Sequence, residues 1–426
     1  MTSLFTHTFS NKLRIAVVPD ARATTTTVLV LVGVGSSYEK PEQNGLSHFL
    51  EHMCFKGTTR RPSAKVLIEE IESLGAVTNA FTSREYTGYY IKGNPSHVAT
   101  FVDLLSDIYH HSTFPEQEIQ KEKGVILEEI NMYEDMPQQK ADELLYDALY
   151  PNHAAGRSIL GTPRTVKSFS QKDFQKYVRQ FYGGENTVVL FSGKVTPAMA
   201  KKLAATQFAQ TPRRARSKKA SVQEQQRAAQ YVVRTKPTDQ AHVILGLRSY
   251  GRGHKDLTAV RLLSTILGRG MSSRLSLALR EELGAAYYVY AHQESYEDHG
   301  VFVIAAGIDK TRLGAIVERI VEECRQCKAL PVSPKELAKA KEYAIGTLRM
   351  GLELSDEVAS FYGVQMVLRQ KLQTPEQLIA EIQKVSVKDI QRVAQALFSP
   401  ERSTLVLVGP FSKADLPKGA LKRLSL

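Results

Sequence analysis

The distribution of apolar and polar residues along this chain predicts strands in some segments and helices in others. Residues 24–34 are rich in Thr and Val and residues 86–91 are rich in Tyr, so both segments predict strands. Segments 137–150 and 334–350 each open on a proline, which a first helical turn tolerates because its N–H would be unpaired anyway, and we predict long helices there. Strands and helices in mixed order predict mostly antiparallel sheets covered by helices, an α+β fold.

The same order of elements occurs twice. The segment that starts at Ser170 aligns without a gap with the segment that starts at Ser386, and each predicts a capped amphipathic helix, a turn and an apolar strand. A short match can arise by chance between helix–strand units, but the matching order in both halves favours an internal repeat. Because 426 residues are also too many for one ordinary domain, we predict two homologous domains, 1–212 and 231–426.

The two predicted domains are joined by residues 213–230, which are basic and poor in apolar residues. Their lack of a hydrophobic period predicts an exposed linker. A basic run can also bind nucleic acid. Because this one has no interleaved aromatic residues and no nucleic-acid-binding motif beside it, we predict no nucleic-acid partner. The net charge of +12 fits either a preference for acidic peptides or an ordinary basic surface.

The candidate chemistry begins with His48, Glu51 and His52, which stand in the apolar run 45–53. Positions i, i+3 and i+4 of a helix share one face, so the two imidazoles can hold one metal ion while the carboxylate lies beside it and handles a proton. This H-x-x-E-H order is the inverse of the common zinc-peptidase pattern. On its own the pattern is weak, and a helix with two hydrogen-bonded histidines and a solvated Glu is the alternative.

Catalytic zinc usually has three protein ligands and keeps one position open for water. Residues 118–130 predict an acidic helix on which Glu122 and Glu129 share a face, whereas Glu128 points elsewhere. This helix is a source of the third ligand, although by itself it is also typical of a charged surface helix.

Residues 45–58 resemble the signature of the pitrilysin/insulinase-type metallopeptidases, a family that includes the mitochondrial processing peptidase. The resemblance continues at 79–87 and in the acidic helix. It implies that Glu129 rather than Glu128 is the third ligand of one zinc ion per chain, and that Glu122 orients a ligand. It also implies that two homologous α+β domains form half of a closed chamber.

Further resemblance concerns the substrate. Residues 271–287 match the family's C-terminal motif, which implies that Arg280 and Tyr287 reach the active site of the first domain and stabilise the substrate carbonyl and its oxyanion. Without the resemblance, a surface ion pair for Arg280 and a packed ring for Tyr287 would be the better interpretation. Asn79 and Ala80 match a strand edge that receives substrate through main-chain hydrogen bonds, with an ordinary turn residue as the alternative for Asn79.

The metal motif has no counterpart in the second half when the halves are aligned on Ser170 and Ser386. In that alignment His48, Glu51 and His52 fall on Ser264, Leu267 and Gly268, and Glu129 falls near 345–347. We therefore predict a second domain without metal. The turn at 268–270 lacks a phosphate-loop pattern and is far shorter than the Gly-rich loop of the family's non-catalytic subunit, so the chain resembles the catalytic type.

Three cysteines argue against a disulfide framework. Cys54 is expected in the core, and Cys324 and Cys327 are expected to be ordinary helix thiols rather than zinc ligands. No signal peptide is evident, nor any apolar segment of the ~20 residues needed to cross a bilayer, so we predict a cytoplasmic bacterial protein without a membrane partner.

The sequence as a whole predicts a zinc metalloendopeptidase or oligopeptidase that hydrolyses peptides or unfolded segments in an enclosed chamber, as a homodimer or as a heterodimer with an inactive homologous subunit. The alternative is a non-catalytic scaffold or partner subunit of a peptidase or respiratory-type complex, which the intact motif residues argue against. The assigned residues are Glu51, Glu122, Arg280 and Tyr287 for catalysis, Asn79, Ala80, Arg280 and Tyr287 for substrate binding, and His48, His52 and Glu129 for the metal.

Overall fold

The computed structural model describes residues 4–368 and 370–411 of the chain. They form two compact units, each of which is discontinuous in sequence. The first unit runs to Ile130 and also takes in Arg157–Ala220 and Met350–Leu372. The second unit takes in Asn131–Gly156 and Ser221–Arg349 and resumes at Gln373.

A six-stranded sheet forms the centre of the first unit. Its strands are β1 (Phe5–Thr8), β2 (Arg14–Pro19), β3 (Thr26–Val32), β4 (Val77–Thr82), β5 (Thr87–Gly93) and β6 (Thr187–Gly193). Their order is β1-β2-β6-β3-β5-β4, and all neighbours are antiparallel except the parallel pair β2 and β6. The predicted strands at 24–34 and 86–91 correspond to β3 and β5.

The second unit contains a five-stranded sheet with the same topology. Its strands are β7 (Gln230–Thr235), β8 (Gln240–Ser249), β9 (Ala286–Ser295), β10 (Gly300–Asp309) and β11 (Ser403–Gly409). The order β7-β11-β8-β10-β9, with only β7 and β11 parallel, repeats the order β2-β6-β3-β5-β4 of the first sheet. The mostly antiparallel α+β fold with two homologous halves is therefore confirmed.

Helices cover these sheets, and two of the predicted ones are α5 and α12. In chain order the helices are α1 (Leu46–Cys54), α2 (Ala64–Ser73), α3 (Val98–His111), α4 (Glu116–Asp135), α5 (Pro137–Leu149), α6 (Pro163–Ser168), α7 (Gln171–Phe181), α8 (Pro197–Gln207), α9 (Leu257–Gly268), α10 (Arg274–Ser276), α11 (Leu313–Ala329), α12 (Pro334–Gly351), α13 (Ser355–Val367), α14 (Pro375–Lys384) and α15 (Val387–Leu397). Ser170 and Ser386 are the N-caps of α7 and α15, as predicted, and each forms a capping box.

Each sheet has one face covered by a helix from the other half of the sequence. Val28, Val30 and Val32 of β3 join the core that contains α1 and α3, while the alternate residues Leu29 and Leu31 pack with α13. In the second unit, α5 covers β8 and β11 in the same way. The compact units therefore differ from the contiguous division at 212, because an amphipathic helix specifies an apolar face but not the sheet on which it packs.

Part of the predicted linker is bound to the first unit rather than solvated. Arg214 donates hydrogen bonds to carbonyl oxygens at the end of α7, where a cation is favourable. Arg216 donates to the hydroxyl of Tyr38 at 2.9 Å. The side chain of Lys219, only 4% exposed, lies 3.8 Å from the carboxylate of Glu85. The boundary between the units, at 220/221, still falls within residues 213–230.

The cysteines Cys54, Cys324 and Cys327 are buried and free of disulfides. Among residues 4–368 and 370–411, every helix is either too short or too polar to cross a lipid bilayer.

Candidate metal centre

Helix α1 carries His48, Glu51 and His52 on its more polar face, because its apolar residues turn inward to the core. The helix begins after Gly45, whose φ of 95° favours glycine. A side chain at Gly45 would also come within 2.6 Å of the carbonyl oxygen of Leu160. This close approach holds the start of α1 against the neighbouring loop.

The amino end of α1 is held by Glu39, which is 4% exposed. Its carboxylate accepts hydrogen bonds from the backbone N–H of Gly45 at 2.8 Å and of Ser47 at 2.7 Å, and from the Ser47 hydroxyl at 2.7 Å. Burial outweighs these bonds and raises the pKa of Glu39 to about 7. Glu39 is not among the residues predicted from the sequence, because an acidic residue that precedes a helix is a common feature.

Helix α4 presents Glu122 and Glu129 on one face, two turns apart, while Ile119 and Ile126 anchor the helix in the core. Glu128 is exposed. As predicted, the helix therefore places Glu129 on the same face as Glu122 and places Glu128 on a different face.

One ligand atom from each of His48, His52 and Glu129 lies within 4.8 Å of the others. Oε2 of Glu129 is 3.6 Å from Nε2 of His48 and 3.8 Å from Nε2 of His52, too far for hydrogen bonds. Ligand atoms about 2.1 Å from one tetrahedral zinc ion lie roughly 3.4 Å apart. The three side chains therefore have the spacing and the donor types of a shared metal site.

Glu122 orients His52. Its Oε1 lies 2.9 Å from Nδ1 of His52, which leaves Nε2 of that ring turned towards Glu129. Its other oxygen pairs with Nζ of Lys56 at 2.5 Å. Burial would raise the pKa of Glu122, but the contacts with His52 and Lys56 hold it below its ordinary value. Such carboxylate–histidine pairs fix the ring orientation of metal ligands.

The pKa values of the two histidines are shifted in opposite directions. Burial, with the nearby His52, lowers the pKa of His48 to about 3, so its ring is neutral and able to bind a metal. Burial also acts to lower the pKa of His52, but the hydrogen bond to Glu122 and the surrounding carboxylates raise it. Nδ1 of His48 is buried and has no hydrogen-bond partner in the described part of the chain.

Glu51 lies beside this group and accepts a hydrogen bond of 2.7 Å from the hydroxyl of Thr82 on β4. Burial raises the pKa of Glu51 despite that bond. Neither Thr82 nor Lys56 was identified from the sequence. Thr82 lies within the matched segment 79–87, and Lys56 follows His52 by one helical turn. Their positions in the sequence do not reveal that Thr82 contacts Glu51 or that Lys56 contacts Glu122.

Comparison with known proteins identifies the family. Residues 14–163 match the family described as Insulinase (Peptidase family M16), and residues 168–343 match the Peptidase M16 inactive domain. A Bacillus subtilis protein named as an uncharacterized zinc protease, YmxG, is 36% identical over 95% of this chain and 98% of its own length. The chain belongs to the insulinase family of metallopeptidases, M16. This confirms the resemblance inferred from the motifs.

Other relatives are similar to this chain over nearly its whole length. The mitochondrial-processing peptidase subunit beta of Dictyostelium discoideum is 28% identical over 95% of this chain and 88% of its own length. A protease from Helicobacter pylori of known structure, 25% identical, superimposes with a TM-score of 0.90 and covers 96% of this chain and 100% of its own. A protein from Pseudomonas fluorescens titled as a peptidase M16 inactive domain, 18% identical, shares the fold with a TM-score of 0.88.

The remaining predicted M16 site residues lie on three different elements. Asn79 and Ala80 belong to β4, which is an edge strand of the first sheet. Arg280 lies on the π-helical turn Leu277–Glu282 and Tyr287 on β9, both in the second unit and both exposed. Arg280 has no ion pair among the residues the structure describes, so the surface ion pair considered as an alternative is not present. The role of Arg280 and Tyr287 towards the metal group stays a prediction.

Proposed function

We propose that this chain is a zinc-dependent endopeptidase or oligopeptidase that hydrolyses peptides or unfolded segments. The observation that carries the proposal is the convergence of Nε2 of His48, Nε2 of His52 and Oε2 of Glu129 beside the carboxylate of Glu51. The names of the relatives support zinc and proteolysis in general. The bacterial relatives support a bacterial origin.

His48, His52 and Glu129 would hold one zinc ion per chain. When bound, zinc supplies a Lewis acid that polarises a peptide carbonyl and makes a water molecule more acidic. Glu51 would take the proton from that water and deliver it to the leaving amine. Its raised pKa suits this exchange, and the hydroxyl of Thr82 holds its carboxylate in place.

The edge of β4 would bind the substrate. An extended peptide can add to an open strand through main-chain hydrogen bonds, which tolerate many sequences. Asn79 and Ala80 lie on β4 close in sequence to Thr82, which contacts Glu51. A peptide paired with this edge would therefore run past the proposed proton carrier.

A closed chamber would complete the site. The M16 resemblance implies that Arg280 and Tyr287 meet the substrate from the second unit and that a second subunit closes the chamber. Their exposed side chains and the relative named as a subunit support this part of the proposal. The partner would be a second copy of this chain or an inactive homologous subunit.

The test combines zinc content with cleavage of an internally quenched peptide. Glu51→Gln is expected to keep its zinc and to lose at least about a hundredfold in kcat, since a positioned acid–base group contributes roughly 10²–10⁴-fold. Glu129→Gln is expected to lose zinc and activity together. Glu128→Gln is the matched control, since Glu128 is exposed on the same helix and should retain both.

The scaffold alternative makes the opposite prediction for the unmodified protein. Purified protein that takes up no zinc and cleaves none of the peptides in a mixed library would support a non-catalytic subunit. Full activity of Glu51→Gln would contradict the proposed mechanism, even if the variant binds zinc.

A further inference from the structure

A cavity of about 200 Å³ lies within the second unit, enclosed mainly by α9, α12 and α14. Ser264 of α9, which aligns with His48, lines it. So does Thr347 of α12, which falls in the segment aligned with Glu129. In the sequence alignment of the two halves, the cavity is thus lined at positions that correspond to the metal group, but without metal-binding side chains.

Two arginines, Arg261 and Arg269, line this cavity. Both reach solvent, and neither guanidinium has a hydrogen bond or ion pair among residues 4–368 and 370–411. Arg261 also interacts with the positive charges of Arg252 and Arg269 and with the negative charge of Glu381. The cavity therefore has an excess of positive charge that an anion would neutralise.

By contrast, another arginine of this unit is already neutralised. Arg274 holds both oxygens of Glu336 at 2.6 and 2.8 Å, a two-pronged contact that arginine forms readily with carboxylates. Arg261 and Arg269 have the same capacity and no such partner in the described structure.

The rest of the cavity wall has hydroxyl groups, the amide of Gln293 and several apolar side chains. Gln293 lines the same cavity, and its Oε1 is buried without a hydrogen-bond partner within the described residues, so a ligand N–H that reached it would satisfy it. Leu262, Leu348 and Ile382 line the same space. A volume of about 200 Å³ is below the roughly 300–1,000 Å³ of sites for drug-sized molecules, so the ligand should be small.

We propose that this cavity binds the carboxyl-terminal residue of a peptide that ends in an apolar amino acid. Arg261 and Arg269 take the terminal carboxylate, Gln293 accepts the N–H of that residue, and the apolar wall packs its side chain. The pocket is non-catalytic and requires no metal, so it stands apart from the peptidase function proposed above.

The test is calorimetric titration of the full-length protein with N-acetyl-leucine and with N-acetyl-leucinamide, which differ in the terminal charge. The carboxylate should bind saturably and at least about tenfold more tightly than the amide, since only the carboxylate brings a negative charge to the two guanidinium groups. Arg261→Gln and Arg269→Gln should each weaken binding by about tenfold or more. Arg227→Gln, which removes an exposed arginine of the same unit that does not line the cavity, should leave it unchanged.

Several results of the titration with the unmodified protein would each overturn the proposal. They are no saturation with N-acetyl-leucine up to about 10 mM, equal affinity for the amide, and inorganic phosphate binding as tightly as N-acetyl-leucine, which would show an unspecific anion site. The titration is repeated with His52→Ala, because a metal ion could also bind a carboxylate. Binding that persists there and is lost in Arg261→Gln supports the cavity, and the reverse pattern contradicts it. Zinc content and peptide cleavage are measured separately, so failure here leaves the peptidase proposal standing.

Discussion

At the scale of single residues, the candidate metal centre depends on contacts beyond the three proposed ligands. His48 and His52 face Glu129 at distances too long for hydrogen bonds and suited to a shared ion. Glu122 determines which nitrogen of His52 is free, and Lys56 keeps the Glu122 carboxylate charged. A pair of this kind sets ligand orientation before any metal binds.

We therefore expect Glu122→Gln to weaken zinc binding by about 10–100-fold while leaving the fold intact, because the amide can still contact His52 but lacks the charge that Lys56 and His52 share. Competition with a chromophoric chelator measures the affinity, and Glu128→Gln is the control. An unchanged zinc affinity would show that the Glu122 contact does not orient the ligand.

At the scale of elements, the position of α1 depends on its amino end. Glu39 binds the backbone N–H groups of Gly45 and Ser47, and Ser47 also contacts the hydroxyl of Tyr177 at 2.6 Å. A carboxylate at a helix N-terminus is favourable, but this one is buried, so its charged form is costly.

This cost predicts a pH dependence of stability. Because the folded-state pKa of Glu39 is raised from 4.5 to about 7, its contribution to the free energy of unfolding is fully present below pH 4.5 and is lost as the pH rises through 7. The loss should amount to about 3 kcal/mol. Glu39→Gln cannot titrate, and it offers one acceptor instead of two, so it should be less stable at low pH and approach the wild type near neutrality.

Urea unfolding in the presence of a chelator, at several pH values between 4 and 8, measures this difference. Glu42→Gln, a change at an exposed neighbouring position, should run parallel to the wild type. A constant gap between wild type and Glu39→Gln would mean that Glu39 does not titrate in this range.

At the scale of the whole molecule, the two halves of the chain exchange a helix. Helix α13 packs so closely on the first sheet that a Cβ at Gly363 would lie 2.6 Å from Leu31 and 2.8 Å from Leu190. Gly346, on α12, has open space around the same position. The two glycines thus separate the effect of packing from the effect of helix propensity.

Gly363→Leu is expected to destabilise the protein by about 1–3 kcal/mol, because the added side chain overfills a closed interface. Gly346→Leu should be neutral or more stable by up to about 1 kcal/mol, since leucine is the better helix former. Thermal unfolding of both variants tests how tightly α13 packs on the first sheet. Equal stability of the two variants would contradict the tight packing of α13 on the first sheet.

The sequence alone determined what depends on near neighbours in the chain. Strand β3 followed from its Thr and Val content, and helices α5 and α12 followed from a leading proline. The shared face of His48, Glu51 and His52 followed from helix geometry. The pairing of Glu122 with Glu129 on one face followed from the same rule.

Only the tertiary structure decided the contacts between residues far apart in sequence. The bond from Thr82 to Glu51, the capping of α1 by Glu39 and the attachment of the basic segment through Arg214 carry no local pattern. The sequence also could not show that α5 packs on the second sheet and α13 on the first. An apolar face tells that a helix is packed against something, but it does not tell which sheet it contacts. The physical reason is common to all of these: each is settled by packing, which brings together groups that the chain keeps apart.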